Sequence, residues 1–147
     1  MITVDDMTEV HNSPEGWVSD HIQKYIETDG EEGHIWNGVP TLLLTTKGRK
    51  SGEWRRTALI YGKHGASYVI VASKGGADAP PAWYLNLSEN PEVRVQVGSE
   101  KFTAQARTAS EDEKPELWSE MAKIWPAYDE YQTKTDRPIP VVVLDPA

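Results

Sequence analysis

The sequence predicts an α+β fold, an antiparallel β-barrel of about six strands with helices laid over it. Three observations carry this. The strand-like runs at 41–46, 54–61 and 67–73 are separated only by turns. Residues 92–97 and 101–108 form a second hairpin about Gly98-Ser99. Helical periodicity appears between and outside these hairpins, whereas a doubly wound parallel sheet needs a helix between successive strands.

At the N-terminal end, Ser13-Pro14-Glu15 reads as a helix start, with Ser13 as cap, Pro14 at the first helical position and Glu15 favourable to the dipole. Trp17, Val18, His21, Ile22, Tyr25 and Ile26 then recur in pairs every four residues and define one apolar face. The helix should end near Asp29-Gly30 and pack on the barrel as a lid. Its other face is acidic or neutral, whereas anionic lipids favour Lys and Arg, so any membrane contact is expected to be peripheral at most.

Residues 41–46, Thr-Leu-Leu-Leu-Thr-Thr, suit a buried strand. Residues 54–61 follow as a strand, 62–66 as a turn with Gly65 available for a positive φ, and 67–73 as a β-branched strand. Lys74-Gly75-Gly76 is a link whose glycines permit close backbone approach to a flat ligand. The prolines at 80 and 81 then open a short helix that stops at 89–91, before the second hairpin. Ser110 and Glu113 match a capping box, starting a helix with Leu117, Met121, Ile124 and Trp125 inward until Pro126 interrupts it. Tyr128 and Tyr131 share a face of a further short helix. Residues 139–144 close the sheet, and Pro138 and Pro140 make the start of that strand an edge or bulge.

The 147 residues fit one globular unit, with 1–35 as an amphipathic helix and linker and 36–147 as the barrel. Mean hydropathy is −0.58 and no apolar run is long enough to span a bilayer, and the N-terminus carries neither a basic start nor an apolar stretch. A cytoplasmic protein is expected, at most peripheral to the inner face of the membrane. The absence of cysteine removes disulfides, thiolate catalysis and metal–thiolate sites. A net charge of −8 argues against nucleic-acid binding. His11, His21, His34 and His64 show no metal-ligand spacing, so no metal is expected, and a Gly-x-Ser-x-Gly nucleophile elbow is absent.

Against that acidic background, Lys47, Arg49, Lys50, Arg55 and Arg56 crowd into residues 47–56. Concentrated positive charge costs self-repulsion, which a multiply anionic ligand would offset. Gly48 and Gly52 bracket the turn and should let backbone N–H groups face an anion beside the charged side chains. The alternative is a solvated basic turn. It is not a Walker loop, because it lacks the Gly-Lys-Ser/Thr ending and lies between strands.

Taken together, Leu42-Leu43-Leu44-Thr45-Thr46 running into Gly48-Arg49-Lys50-Ser51-Gly52, then Arg56-Thr57, Val71-Ala72-Ser73-Lys74-Gly75-Gly76 and Pro81-Ala82-Trp83-Tyr84-Leu85-Asn86-Leu87 resemble the deazaflavin-dependent nitroreductase family. The stretch 131–144, with Tyr131-Gln132-Thr133-Lys134-Thr135-Asp136-Arg137-Pro138 at its head, is similar too. The resemblance implies an FMN-binding split-barrel-like fold over 36–147 that binds coenzyme F420, an 8-hydroxy-5-deazaflavin with a phosphodiester linker and an oligoglutamate tail. It implies that Arg49, Lys50 and either Arg55 or Arg56 lie near the linker or tail, with Ser51 and Thr57 in the same site. Ala72, Ser73, Lys74, Gly75 and Gly76 would line the ring, and Pro81, Trp83 and Tyr84 would close beside it. For Trp83 a place in the core is the alternative. Ala58 stands where the family often has proline, and a local strand path different from the family's is expected there.

The implied activity is hydride transfer from reduced deazaflavin to a small-molecule acceptor: a quinone, an enone or, as a side activity, a nitroaromatic. The cofactor carries the chemistry, and the protein contributes position and electrostatics. Tyr131, Ser73 and Tyr128 are the candidate catalytic residues. A phenol at 131 can stack on a flat acceptor and donate a hydrogen bond to its developing oxyanion, although packing on the barrel would also explain it. The alternatives are an FMN-binding oxidoreductase on the same barrel and a non-enzymatic deazaflavin carrier. Relatives of this subgroup tend to be monomers, and a monomer is expected.

Overall fold

The computed structural model describes residues 10–12, 16–36 and 38–147, with side chains before Asp20 outside the description. The expected cap at Ser13, Pro14 and Glu15 therefore lies outside the described residues, as do the side chains of Trp17 and Val18. The strands are β1 (Val10–Asn12), β2 (Ile35–Trp36), β3 (Val39–Lys47), β4 (Trp54–Ile60), β5 (Gly62–His64), β6 (Ser67–Val71), β7 (Glu92–Val97), β8 (Glu100–Thr108) and β9 (Val141–Pro146). The helices are α1 (Gly16–Glu27), α2 (Ala82–Glu89), α3 (Lys114–Ile124) and α4 (Ala127–Thr133), with a 3₁₀ turn at Lys74–Gly76.

One curled sheet runs β1-β4-β3-β7-β8-β9-β6-β5, with β2 on β3. All pairs are antiparallel except β1 with β4. Only Tyr61 separates β4 from β5, so one bent stretch pairs with β3 near one end of the sheet and with β6 at the other. The Tyr61 amide donates to the Pro40 carbonyl across that bend. Residues 62–64, expected as turn, are strand for this reason. Gly62 is tightly packed, since a Cβ there would come within 2.7 Å of the Met121 sulfur. The turn shrinks to Gly65 and Ala66, with Gly65 at φ 62°.

Strand alternation sorts the side chains into cores. Leu42, Leu44, Ile70, Val93, Val95, Val142 and Leu144 fill the inside of the curl, and Leu87 of α2 closes it. Val69, Val71, Val141 and Val143 face outward beneath Leu117 and Met121 of α3 and Tyr128 of α4. Leu43 faces outward beneath Ile22 and Tyr25 of α1. The central residues of β3 are thus covered on both faces, which is why they read as an unbroken apolar run. Each fully buried Leu or Ile contributes about 1.5–3 kcal/mol.

Local signals were reliable where they concerned caps. The Ser110 amide donates to Glu113 Oε1 at 3.0 Å and the Glu113 amide to Ser110 Oγ at 3.2 Å, the reciprocal capping box. Helix α1 ends through Asp29 at φ 52° and Gly30 at φ 85°. The Tyr25 hydroxyl pins this helix down by accepting from the Gly98 amide at 2.7 Å and donating to the Thr41 carbonyl at 3.0 Å. Burial pushes its phenol up to about 12.

Candidate functional site

The basic turn joins β3 to β4 and is closed from within. Gly48 N–H donates to the Glu53 carbonyl at 2.7 Å, Gly52 N–H to the Gly48 carbonyl at 2.9 Å, and Glu53 N–H to Ser51 Oγ at 3.2 Å. Gly52 has φ 73°, and a Cβ on Gly48 would meet Ser51 Oγ at 2.8 Å, so each glycine is required by the turn itself. The amides of Gly48, Arg49, Gly52 and Glu53 are therefore engaged, contrary to the expectation of an outward row. Within residues 48–53, only Lys50 and Ser51 keep amides without a protein acceptor among the described residues. What the turn presents is side-chain charge: Lys47, Lys50 and Arg55 are exposed.

Asn86 fastens this turn to α2. It is only 4 % exposed; its carboxamide oxygen accepts from the Arg49 amide at 3.2 Å and from the Arg49 guanidinium at 2.9 Å. Its NH₂ group donates to Thr46 Oγ at 3.2 Å. Buried amides of this kind need such partners, and here the partners come from the basic turn.

The strand register separates the two arginines that the sequence left as alternatives. Arg55 lies opposite Thr46 and Thr57 opposite Leu44, on the inner face toward α2. Arg56 lies opposite Thr45, which is also in register with Arg94, on the face that carries Ala58 and α1. The Arg94 guanidinium sits 3.8 Å over the Trp54 ring on that outer side. Burial lowers the Arg56 pKa from its ordinary value. Arg55 meets Glu53 at 3.5 Å with both side chains about half exposed, a weak pair that a ligand can displace.

Ahead of α2 in the chain comes the segment 72–77. Ala72 is fully buried, and Ser73 is 8 % exposed with a hydroxyl that bonds no described residue. Lys74 holds φ 47° and Gly76 φ 85°. A Cβ on Gly76 would come within 2.6 Å of the Tyr131 carbonyl oxygen, so the segment lies directly against α4. Residues 77–81 lead from it to α2, where Pro81 is buried and Trp83 and Tyr84 pack against the inner core. Tyr84 also shares a hydrogen bond of 3.0 Å with Thr108 Oγ.

Of the candidate tyrosines, Tyr131 is half-buried, and its hydroxyl oxygen accepts from Trp125 Nε1 at 3.4 Å. Tyr128 is 5 % exposed within the outer core over Val69 and Val71, and burial raises its phenol pKa well above the ordinary value. The rings of the two stand edge to face, with centroids 6.1 Å apart. The backbone of Tyr131 thus lies against Gly76, whose amide donates to the Ser73 carbonyl at 3.0 Å, and Tyr128 is buried in the outer core.

Two residues that sequence reasoning missed hold this arrangement. Asn86 is one. The other is Arg137, whose guanidinium donates to the carbonyls of Ala77 at 2.7 Å, Ser73 at 2.9 Å and Ala72 at 3.4 Å. Both stand in stretches that carry the family resemblance, and a polar residue between Leu85 and Leu87 was a further signal for Asn86, but no local pattern gives Arg137 its partners. The fold also brings His64, Glu116 and Glu120 together, their ligand atoms within 4.8 Å of one another. His64 and Glu120 form an exposed pair at 3.2 Å.

Comparison with known proteins gives a consistent picture. Residues 17–146 match the family described as F420H(2)-dependent quinone reductase. An F420H(2)-dependent quinone reductase of Mycobacterium tuberculosis (strain ATCC 25618 / H37Rv) is 40% identical over 133 residues, covering 84% of this chain and 86% of that protein. A solved structure of an F420-H2 dependent reductase (FDR-A) is 41% identical with a TM-score of 0.67, covering 72% of this chain and 94% of that one. Another, described as a domain-swapped dimer, is 38% identical with a TM-score of 0.71, covering 90% of this chain and all of that one.

Proposed function

Because this chain belongs to the F420H(2)-dependent quinone reductase family, we propose that it transfers hydride from reduced coenzyme F420 to a quinone or enone acceptor, with nitroaromatics as a side reaction. The chain is an F420-dependent reductase, and coenzyme F420 is its cofactor. We read the curled sheet as a split β-barrel.

The residues present fit that cofactor. A flat ring edged with carbonyls needs donors, and the buried Ser73 hydroxyl and the Ser73 and Lys74 amides have no acceptor among the described residues. A phosphate and a carboxylate tail need exposed cations, and Arg55 on the inner face, with Lys50 beside the Arg49 that Asn86 ties to α2, supplies them. A cationic turn fastened to α2 through Asn86, and a segment with a buried unpaired hydroxyl that leads into the same helix through residues 77–81, are the observations that carry the reading.

Reduced F420, when bound, supplies a hydride. Arg49 shapes the turn through Asn86, while Lys50 and Arg55 hold the anionic handle. Ser73 and its neighbouring amides orient the ring against the 72–77 backbone. Tyr131, one contact away across Gly76, stacks on the acceptor and donates a hydrogen bond to the oxygen on which negative charge develops. The acceptor gains hydride at carbon or at a quinone oxygen, and a proton from Tyr131 or from water completes the reduction.

The test is stopped-flow oxidation of reduced F420 by menadione. The enzyme should accelerate it well beyond free cofactor; equal rates would leave only a carrier, and bound FMN in the purified protein would favour the flavin alternative.

A second reading concerns assembly. A monomer was expected, yet one similar structure is a domain-swapped dimer, so exchange of an element between copies is set against it. Light scattering on the purified protein decides between them. No helix among the described residues is long and apolar enough to cross a membrane, and a cytoplasmic location, at most peripheral to the inner face of the membrane, is proposed.

A further inference from the structure

The guanidinium of Arg137 is half-buried and makes four hydrogen bonds, all to backbone carbonyls. Nε donates to Ala77 at 2.7 Å, NH2 to Ser73 at 2.9 Å and to Ala72 at 3.4 Å, and NH1 to Ala72 at 3.4 Å. No carboxylate of the described residues pairs with it. A planar fork of this kind can bind several acceptors at fixed angles, which a single ammonium cannot reproduce. The acceptors span the whole 72–77 segment, including the stretch in which Lys74 is held at φ 47°. A non-glycine residue in that conformation persists only where its surroundings impose it.

The same arginine is tied to α4. The Gln132 side chain donates to the Arg137 carbonyl at 2.8 Å and accepts from the Ile139 amide at 2.9 Å. Gln132 follows Tyr131 directly, and Tyr131 packs on Gly76. Segment 72–77, helix α4 and the strand entry at 139 are thus joined through two side chains, those of Arg137 and Gln132.

We propose that Arg137 is the positioning residue of the reaction, holding the ring-lining segment and the Tyr131 helix in one frame and so setting the distance between hydride donor and acceptor. This rests on the proposed reduction of acceptors by F420. Hydride transfer is steep in distance, and a displacement of about 1 Å can cost about 100-fold in rate. Loss of Arg137 should therefore act on kcat. Acceptor KM should change less, because the Arg137 guanidinium bonds only backbone carbonyls of the segment it holds.

The experiment compares wild type with Arg137→Ala and Arg137→Lys, by menadione reduction with reduced F420, by F420 titration and by thermal melting. Wild type must bind and turn over; failure there overturns the functional reading, and the positioning role with it. Given an active wild type, Arg137→Ala should lose about 100-fold in kcat. Arg137→Lys should recover only part of that loss, and guanidinium at sub-denaturing concentration should restore the alanine variant where methylammonium does not. A lower melting temperature with kcat and KM of wild type per folded enzyme would overturn the proposal. If the alanine variant does not fold, the lysine variant carries the test: reduced kcat supports positioning, and wild-type kcat contradicts it.

Discussion

The carboxamide oxygen of Asn86 accepts two hydrogen bonds from Arg49, one from its backbone N–H at 3.2 Å and one from its guanidinium at 2.9 Å. A residue expected to bind the cofactor directly therefore has its head group fixed to helix α2. Asn86→Ala would leave the buried Thr46 hydroxyl and the Arg49 amide without this partner. It should cost about 1–3 kcal/mol in urea unfolding. It should also weaken F420 binding roughly tenfold, since the turn loses its anchor. Unchanged affinity at reduced stability would show that the turn does not need its present position to bind.

The two neighbouring arginines of β4 should separate cleanly. Arg55 faces α2 with Thr46, and Arg56 faces the side of α1 with Thr45. Arg55→Ala should raise the Kd for F420 about tenfold, the lower end for charge-assisted hydrogen bonds because the residue is exposed. Arg56→Ala should leave Kd within about twofold, because its side chain lies on the face turned away from α2 and the anionic handle. Isothermal titration calorimetry measures both, and the opposite ranking would place the anionic handle on the outer face.

These two cases show what the sequence could convey. The capping box of Ser110 and Glu113, the end of α1 at Gly30 and the bend at Gly65 were legible because each depends on residues within a few positions. The choice between Arg55 and Arg56 was not, because it needs the β3–β4 register. Asn86 and Arg137 were less legible still: their partners lie 37 to 65 residues away. The basic turn was recognisable as a charge cluster, but its inward-facing amides were set by closure of the turn rather than by composition. Residues 62–64 were read as turn because the glycine signal was visible and the contact with Met121 was not.

Tyr131 and Tyr128 should respond differently to loss of the hydroxyl. Tyr131→Phe should lower kcat with menadione about 100-fold, the scale of one lost oxyanion donor. Tyr128→Phe removes a buried hydroxyl that has no acceptor among the described residues, so kcat should stay at the wild-type value and the melting temperature should not fall. Steady-state kinetics and calorimetry on the pair distinguish a catalytic phenol from a packing one.

Acid stability offers a check away from the site. The Arg107 guanidinium at 2.7 Å, together with the Ser110 amide, holds the Glu113 carboxyl down from 4.5 to about 2. Hydrogen bonds from Ser67 and Arg107 likewise lower Asp145. A folded pKa below the unfolded one gives stability that is present above the unfolded pKa and is lost as pH falls through the folded one. Melting temperature should therefore decline between about pH 4.5 and about pH 2. Glu113→Gln should flatten part of that decline, and an equal slope in the variant would show that the pairing does not stabilise the native state.

The most direct measurement is fluorescence titration of wild type and Lys50→Ala with coenzyme F420, at low and at high salt, with FMN in parallel. The cationic turn and the 72–77 segment predict saturable binding of F420 at micromolar concentrations, preferred over FMN and weakened both by salt and by the substitution. Binding of F420 that ignores both salt and Lys50→Ala, or no binding at all, would contradict them.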